Sequence, residues 1–192
     1  SVRNVGFEKI KINEETSEVY LSQKGMKIGF GAIGKGYAAD KVKALLQSKG
    51  VTGGIINASG DMSAWGTQPS GTPWKVAITN PLDQTKNYGL FELTNKAVVT
   101  SGNYEKFIKI EDEVYSHIID PRTGKPTKGT LSASVFAPKA ELADALATSI
   151  SVMGVDAGVY LINQIPDVEC IIITSGGNVI NSEGIKINTY EN

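Results

Sequence analysis

A glycine-rich segment that runs into a helix is the feature that most constrains this chain. Within residues 29–36 it carries four glycines, at Gly29, Gly31, Gly34 and Gly36. Such a segment opens its backbone N–H groups to a bulky anion, and the start of the following helix adds the positive end of its dipole. Lys35 supplies a full positive charge at the same place. The segment therefore predicts a site for a phosphate or a pyrophosphate.

Two known nucleotide-binding patterns are almost present in this segment. The G-x-G-x-x-G pattern of dinucleotide oxidoreductases requires an acidic residue about 20 positions later, where the chain has Lys49 and Gly50. The G-x-x-x-x-G-K pattern of phosphate-binding loops is followed here by Gly36, instead of the Ser or Thr that holds magnesium. A dinucleotide oxidoreductase and a plain tight turn before a helix are the alternatives to an anion site.

The overall composition narrows the classes of function. The 192 residues suit one domain, and 19 basic against 20 acidic residues leave a net charge of −1. This balance gives no basic surface for nucleic acid or for an anionic membrane, and no apolar run approaches the roughly 20 residues that span a bilayer. The single cysteine, Cys170, falls in a short apolar run and is predicted to be a buried packing residue.

Apolar periodicity and turn residues predict many strands and three helices. Strands are predicted over residues 5–12, 19–21, 27–30, 54–57, 74–78, 88–93, 97–101, 131–138, 168–174, 178–180 and 185–187, with a hairpin from residues 104–110 and 113–115. One helix is predicted to follow the glycine-rich segment and to end before Gly50, and two more to cover residues 141–153 and 156–164.

Small polar residues follow two of the predicted strands. In residues 57–62, predicted as a loop, Asp61 is the only charged residue. A turn with an Asx hydrogen bond explains this loop as well as a ligand contact does. Thr100 and Ser101 end another apolar strand, either as a turn or as the edge of a ligand site. Both strand ends stay open between these interpretations.

The chain has one histidine, His117, between a predicted strand and a turn rich in charge. In that turn, residues 120–124, Pro121 presets the backbone and Gly124 closes it. A single histidine is usually a surface or packing residue. This position, and the ability of histidine to titrate near neutrality, favour a role in proton transfer.

The helix predicted over residues 141–153 places Asp144 and Thr148 one turn apart. They are predicted to lie opposite an apolar face that consists of Leu142, Ala145, Leu146, Ile150 and Met153. A carboxylate and a hydroxyl are hard oxygen ligands of the kind that magnesium takes. By spacing alone, a local hydrogen bond from Thr148 to Asp144 on a solvated face is the favoured interpretation.

Five stretches resemble, in order and in spacing, the ApbE family of FAD:protein FMN transferases. They are residues 31–40, 57–61, 100–104, 116–124 and 143–148. The string from His117 to Gly124 and the helix with Asp144 and Thr148 are the most specific of them. The resemblance implies an α+β fold related to the T-fold, with mixed sheets and packed helices, in a single domain over residues 1–192. It covers the C-terminal two thirds of a typical member, so we expect the family's N-terminal part to be absent.

The resemblance also implies an activity: the magnesium-dependent transfer of FMN from FAD to a Thr or Ser hydroxyl of a target protein, with release of AMP. It implies that Mg²⁺ is held by Asp144, Thr148 and the backbone carbonyl of Ala32. It implies that His117 is catalytic and lies near the acceptor hydroxyl. The residues that it assigns to FAD are Gly29, Lys35, Asp61, Thr100, Ser101, His117 and Ile118.

The same resemblance implies an extracytoplasmic location, either periplasmic or anchored to a membrane. We expect weak FAD binding, because the family's N-terminal part helps to enclose the flavin and because Gly29 stands where members usually carry an acidic residue. The alternative function is a nucleotide-binding protein or an FAD pyrophosphatase that transfers nothing to protein.

Overall fold

The computed structural model describes residues 2–83, 85–102, 107–110 and 113–185; of residues 107–110 and 113–114 it describes the backbone. In this part of the chain there are three α-helices: α1 (Gly34–Ser48), α2 (Ala140–Met153) and α3 (Val155–Ile162). Fourteen strands accompany them: β1 (Ile10–Asn13), β2 (Glu18–Leu21), β3 (Gly54–Ala58), β4 (Asp61–Trp65), β5 (Trp74–Thr79), β6 (Asn87–Leu93), β7 (Ala97–Gly102), β8 (Phe107–Ile110), β9 (Glu113–Ser116), β10 (Ile119–Asp120), β11 (Lys125–Pro126), β12 (Thr130–Ala137), β13 (Glu169–Thr174) and β14 (Val179–Asn181).

Six strands form the central sheet, in the order β14-β13-β12-β7-β4-β3. The helices α1 and α2 pack on it, α1 against β3 and β4 and α2 against β7 and β12. The predicted α+β class, with helices packed on sheets, is confirmed. Every strand pair in the described residues is antiparallel, which refines the expectation of mixed sheets.

The central sheet is covered on both faces, by helices on one and by the β5–β6 hairpin on the other. Because successive side chains on a strand point to opposite faces, neighbouring residues of one strand contribute to different clusters. On β12, Ala133 and Val135 join the cluster that includes Ile150 of α2. Phe136 lies on the opposite face and joins the cluster that includes Val76 and Phe91 of the β5–β6 hairpin. Polar side chains between the sheet and the helices are therefore shielded from water.

Helices α1 and α2 meet at a close backbone contact. A Cβ atom added at Gly36 would lie 2.2 Å from the carbonyl oxygen of Ala140, so helix packing itself requires a glycine there. Four residues later, Asp40 Oδ2 accepts the N–H of Glu141 at 3.0 Å. This bond caps the start of α2, where the preceding residue, Lys139, makes no side-chain cap. Together the two contacts fix how the helices sit against each other.

Three of the predicted elements differ from the structure. The strand predicted over residues 27–30 is wrong, because this segment has no strand partner in the described residues. Within the strand predicted over residues 5–12, Phe7–Lys9 form a 3-10 turn and β1 begins at Ile10. The loop predicted over residues 57–62 is a tight turn that leads into β4, a strand that the apolar pattern does not predict.

The other predicted helices and strands are confirmed, with bounds shifted by a few residues, except the last strand, predicted over residues 185–187, of which only Ile185 is described and lies outside any strand. The predicted hairpin is formed by β8 and β9, although its residues 104–106 and 111–112, and residues 186–187 of the last predicted strand, lie outside the described residues. The single domain stays a prediction. Within the ranges described, no helix is both long enough and apolar enough to cross a membrane.

Candidate active site

Asp144 lies between the helices and is 2% exposed. Its Oδ2 accepts the N–H of Gly36 at 3.1 Å, across 108 positions of sequence. The interpretation of Asp144 as part of a solvated face is therefore wrong. The predicted apolar face is wrong in part as well, since α2 buries Ala143 and Ala147 but leaves Leu142 exposed. The two alanines have little bulk, which lets α1 approach the carboxylate.

Asp61 is a second buried carboxylate, and the preceding turn determines its position. Of the two interpretations left open for this loop, the structure shows the Asx hydrogen bond, because Asn57 Oδ1 accepts the N–H of Gly60 at 2.8 Å. Ser59 and Gly60 have the left-handed φ angles, 57° and 97°, that close the turn. Strand β4 begins at Asp61, whose side chain is fully buried.

Lys35 forms an ion pair with Asp61. Its ammonium donates to Asp61 Oδ1, and its side chain keeps 40% of its surface exposed. The other oxygen, Asp61 Oδ2, is buried and has no hydrogen-bond partner in the part of the chain that the structure describes. The positive charge of Lys35, which is predicted to bind an anion, therefore lies beside the glycine-rich segment and is already paired with a carboxylate.

The surroundings of Asp61 raise its pKa to about 6. Burial contributes most, because the charged form loses its hydration. The hydrogen bond from Lys35 opposes this effect, and the like charge of Asp144 raises the pKa of Asp61 further. Two carboxylates with one lysine leave an excess of negative charge when both are ionised, and such an arrangement attracts a cation.

A cavity of about 400 Å³ joins the glycine-rich segment to α2. Its lining residues are Ala32, Ile33, Ala145, Thr148, Ser149, Val152 and Met153. The central sheet reaches the same place, because the Oγ of Ser101 lies 3.2 Å from Thr148 Oγ1. Three segments that are far apart in sequence therefore meet at Ala32, Ser101 and Thr148.

A second cavity, of about 520 Å³, shares Ile33 with the first. It is lined by Phe30, Ile33, Gly34, Tyr37 and Glu141. The side chains of Phe30 and Tyr37 are 70% and 47% exposed. Exposed aromatic side chains beside an anion-binding segment suit a ligand that combines a flat ring with a phosphate.

The structure divides the glycines of the segment between two tasks. Gly36 serves the helix contact, and its N–H is committed to Asp144. At Gly29 and Gly31, by contrast, a Cβ atom would meet nothing within 4 Å. The N–H groups of Ile33 and Gly34 both donate to the carbonyl of Phe30, so the predicted anion site narrows to residues 29–32 and Lys35.

Thr100 and Ser101 point to opposite sides of the central sheet. Thr100 Oγ1 lies 2.7 Å from the Oγ of Ser134, its partner in the register of β7 and β12. Ser101 reaches Thr148 of α2. Because neighbouring side chains on a strand alternate, the structure brings Ser101 to the first cavity and does not bring Thr100 there.

His117 lies in an exposed bend directly after β9. The next residue, Ile118, is buried: its N–H donates to Ser116 Oγ at 3.0 Å and its carbonyl accepts the N–H of Thr127 at 2.9 Å. The bend is thus anchored by its neighbours while the histidine itself faces outward.

The predicted turn after His117 is confirmed and reaches α2. Gly124 has a left-handed φ of 71°, and Arg122 donates to Asp120 through Nε and Nη2. Arg122 Nη2 also donates to the carbonyl of Val152 at 3.1 Å, and Val152 lines the first cavity. This bond ties the segment that carries His117 to the rim of that cavity.

Sequence reasoning missed the role of Asp40. Its Oδ1 accepts the hydroxyl of Ser63 at 2.9 Å while its Oδ2 caps α2, so one carboxylate joins α1, α2 and β4. The start of α2 could have revealed this role, because Lys139 and Ala140 offer no capping side chain. A helix start without a local cap indicates that a cap comes from elsewhere in the fold.

The oxygen atoms at this site fit a hard divalent cation. Asp144 offers a carboxylate, Thr148 a hydroxyl and Ala32 a backbone carbonyl, which are ligand types of Mg²⁺. No group of three or more His, Cys, Asp or Glu side chains converges within the described ranges. A cation here would therefore complete its coordination with water or with phosphate oxygens.

Comparison with known proteins identifies relatives over most of the chain. A model of the ApbE family matches residues 1–172. A protein of Klebsiella pneumoniae (strain 342) named FAD:protein FMN transferase is 30% identical over 175 residues, which are 90% of this chain and 54% of the relative. One of the same name from Treponema pallidum (strain Nichols) is 34% identical over 177 residues, 87% of this chain and 49% of the relative.

Solved structures agree with this match. The ApbE protein of Thermotoga maritima superposes with a TM-score of 0.87 at 29% identity, over 95% of this chain and 59% of that structure. The flavin transferase ApbE of Vibrio cholerae gives a TM-score of 0.79 at 30% identity, over 95% of this chain and 58% of that structure. The chain spans about half the length of the curated relatives that it matches.

Proposed function

The chain belongs to the ApbE family, and we propose that it transfers FMN from FAD to a hydroxyl group of a target protein. Relatives named FAD:protein FMN transferase support this activity. We further propose, from the resemblance in sequence, that the acceptor is a Thr or Ser hydroxyl and that AMP is released.

One observation carries the proposal: Ala32 and Thr148 line one cavity, and Asp144 is buried one helical turn before Thr148. These three residues are the ones expected to hold Mg²⁺. Ala32 lies just before α1, and Asp144 and Thr148 lie on α2. The carboxylate of Asp144 is 2% exposed at a helix contact, where burial of a charged group is unfavourable unless other groups compensate it.

We propose that Mg²⁺ binds to Asp144, Thr148 and the carbonyl of Ala32. When bound, the ion would offset the negative charge of the pyrophosphate. The N–H of Gly36 orients Asp144, and the hydroxyl of Ser101 orients Thr148. The open backbone around Gly29 and Gly31 and the ammonium of Lys35 would bind phosphate oxygens.

His117 would act at the acceptor. It would take the proton from the acceptor hydroxyl or orient that hydroxyl. The hydroxyl oxygen would then form a bond to the phosphorus of the FMN part of FAD. The bond from that phosphorus to the bridging oxygen breaks, and AMP leaves with this oxygen. The exposure of His117 supports this role, because a protein acceptor must reach the site from outside.

The same exposure favours a second candidate, the hydrolysis of FAD to FMN and AMP. Water has access to the bend at His117 and could take the place of the acceptor hydroxyl. In both reactions the same residues would bind the cation and the phosphate oxygens. The two reactions are distinguished by their products, which are free FMN in hydrolysis and protein-bound FMN in transfer.

The experiment that tests the proposal incubates the chain with FAD and a protein that a relative flavinylates, with Mg²⁺ or with EDTA. We expect AMP release and covalent flavin fluorescence on the acceptor in Mg²⁺ alone. Free FMN without labelled acceptor would support the hydrolase. FAD binding without AMP in either condition would overturn both reactions and leave a binding protein.

We also propose an extracytoplasmic location, which rests on the sequence resemblance. Fractionation of cells that express the natural gene is the direct test. Recovery of the protein from the periplasm or the membrane would support the proposal, and recovery from the cytoplasm would overturn it.

A further inference from the structure

Asp61 and Asp144 are held by consecutive residues of α1. The ammonium of Lys35 donates to Asp61, and the N–H of Gly36 donates to Asp144. The carboxylates, 0% and 2% exposed, therefore lie close together, and their charges interact. Two buried like charges at one place require positive charge to compensate them.

This compensation is incomplete in the described residues. Lys35 offers one positive charge to two carboxylates. Asp61 Oδ2 is buried without a hydrogen-bond partner there, and a buried polar atom in that state costs free energy. A carboxylate oxygen is also the ligand type that a hard divalent cation prefers. The excess charge and the unpaired oxygen thus point to the same missing group.

We propose that Asp61 is a second carboxylate ligand of the divalent-cation site, through Oδ2, and that Lys35 balances its charge while no cation is bound. This inference rests on the cation site of the proposed function. It gives Asp61 a role other than the contact with FAD that the family resemblance implies, and it gives Lys35 a role before FAD arrives.

The pairing of Lys35 with Asp61 has a consequence for the order of binding. With a cation bound at Oδ2, the charge of Asp61 would be compensated without Lys35, and the ammonium would be repelled by the cation. Lys35, whose side chain is 40% exposed, would then be free to donate to a phosphate oxygen. The cation site and the phosphate site are therefore coupled through one lysine, and removal of that lysine should strengthen the binding of the cation alone.

The test is a titration of the chain, first freed of bound metal, with Mn²⁺ alone and without FAD, read by the electron paramagnetic resonance of the free ion. Mn²⁺ and Mg²⁺ favour the same oxygen ligands. We expect Asp61→Asn to weaken Mn²⁺ binding by about tenfold or more, because it removes a ligand. We expect Lys35→Met to strengthen Mn²⁺ binding several-fold, because it removes a nearby positive charge.

A surface ion pair supplies the matched controls. Lys86 Nζ and Asp83 Oδ2 lie 3.0 Å apart, with side chains 74% and 38% exposed, so Asp83→Asn and Lys86→Met repeat the two chemical changes far from α1. Both should leave the affinity for Mn²⁺ unchanged. Circular dichroism checks that each variant is folded. Should Asp61→Asn not fold, Lys35→Met and Lys35→Met/Asp61→Asn are compared instead, since this pair leaves no lysine without its partner.

The outcomes separate this inference from the proposed function. Wild-type affinity in Asp61→Asn, or weaker binding in Lys35→Met, would overturn the role of Asp61 and leave the site at Asp144 intact. Unchanged Mn²⁺ binding in Asp144→Asn would instead overturn the cation site of the proposed function. A wild-type chain that binds no Mn²⁺ would overturn both.

Discussion

The two ends of the candidate site are built in different ways. At the proposed phosphate end, Asp61 and Asp144 are buried between α1, α2 and β4, and consecutive residues of α1 bond to both. At the proposed acceptor end, His117 is exposed in a bend, and the segment that carries it reaches α2 through the bond from Arg122 to Val152.

This difference suggests a division of work. The shape of a pyrophosphate with its cation does not vary from one substrate molecule to the next, so the residues that bind them can be rigid and buried. Burial also strengthens their electrostatic interactions. A protein acceptor must approach and leave, so its end of the site has to stay open. Substitutions at the buried end should therefore change stability and binding together, and substitutions at the exposed end should change transfer alone.

The largest effect is expected for Gly36→Ala. The added Cβ would clash with the backbone of Ala140 at 2.2 Å, so the helices must separate, at a cost of about 3 kcal/mol. Higher helix propensity returns about 1 kcal/mol, which leaves a net loss of about 2 kcal/mol in the free energy of unfolding. Urea denaturation measures it, with Gly31→Ala, which adds a Cβ in open space, as the control. Equal stability of the two variants would show that α1 and α2 are not in close contact.

His117→Ala should break the acceptor end alone. We expect flavin transfer to slow on the order of a hundredfold, as for the loss of a general base, with little change in FAD affinity or in the urea midpoint. Single-turnover labelling of the acceptor and calorimetry with FAD measure the two quantities. If FAD affinity falls and the rate of transfer from bound FAD does not, His117 is a binding residue.

A smaller effect is expected from pH in the core beneath α2. Burial raises the pKa of Cys170 to about 11 from its ordinary value of 9.0. As pH rises from about 9 to about 11, the unfolded chain loses the thiol proton first, so the free energy of unfolding falls across this window. Comparison of Cys170→Ala with the wild type isolates the effect. The native thiol should also resist alkylation at pH 8, and rapid alkylation would contradict its burial.

The smallest effect on stability is expected for Arg122→Ala. Its side chain is 68% exposed, so the free energy of unfolding should hardly change. Transfer should slow several-fold, because the bond that ties the His117 segment to Val152 is lost. Arg122→Lys keeps the charge but not the paired geometry toward Asp120, so its rate of transfer should lie between those of the wild type and Arg122→Ala. A loss of stability as large as that of Gly36→Ala would remove the contrast between the two ends.

The sequence predicts the site elements better than their surroundings. Helical spacing correctly placed Asp144 and Thr148 on α2, and the Asx turn before Asp61 follows from local residue types. The burial of Asp144 could not be predicted, because its partner Gly36 lies 108 positions away. The strand predicted over residues 27–30 failed for a related reason: apolar alternation does not reveal whether a partner strand exists.

The most direct test of the account is the Mg²⁺ dependence of FAD binding in Asp144→Asn, with His117→Ala as the matched variant from the other end. Asn keeps the volume of Asp and can still accept the N–H of Gly36, so the charge alone is lost. Calorimetry with FAD, with and without Mg²⁺, should show that Mg²⁺ strengthens binding in the wild type and in His117→Ala but not in Asp144→Asn. An unchanged Mg²⁺ dependence in Asp144→Asn would contradict the account, because the phosphate end would then not be built on this carboxylate.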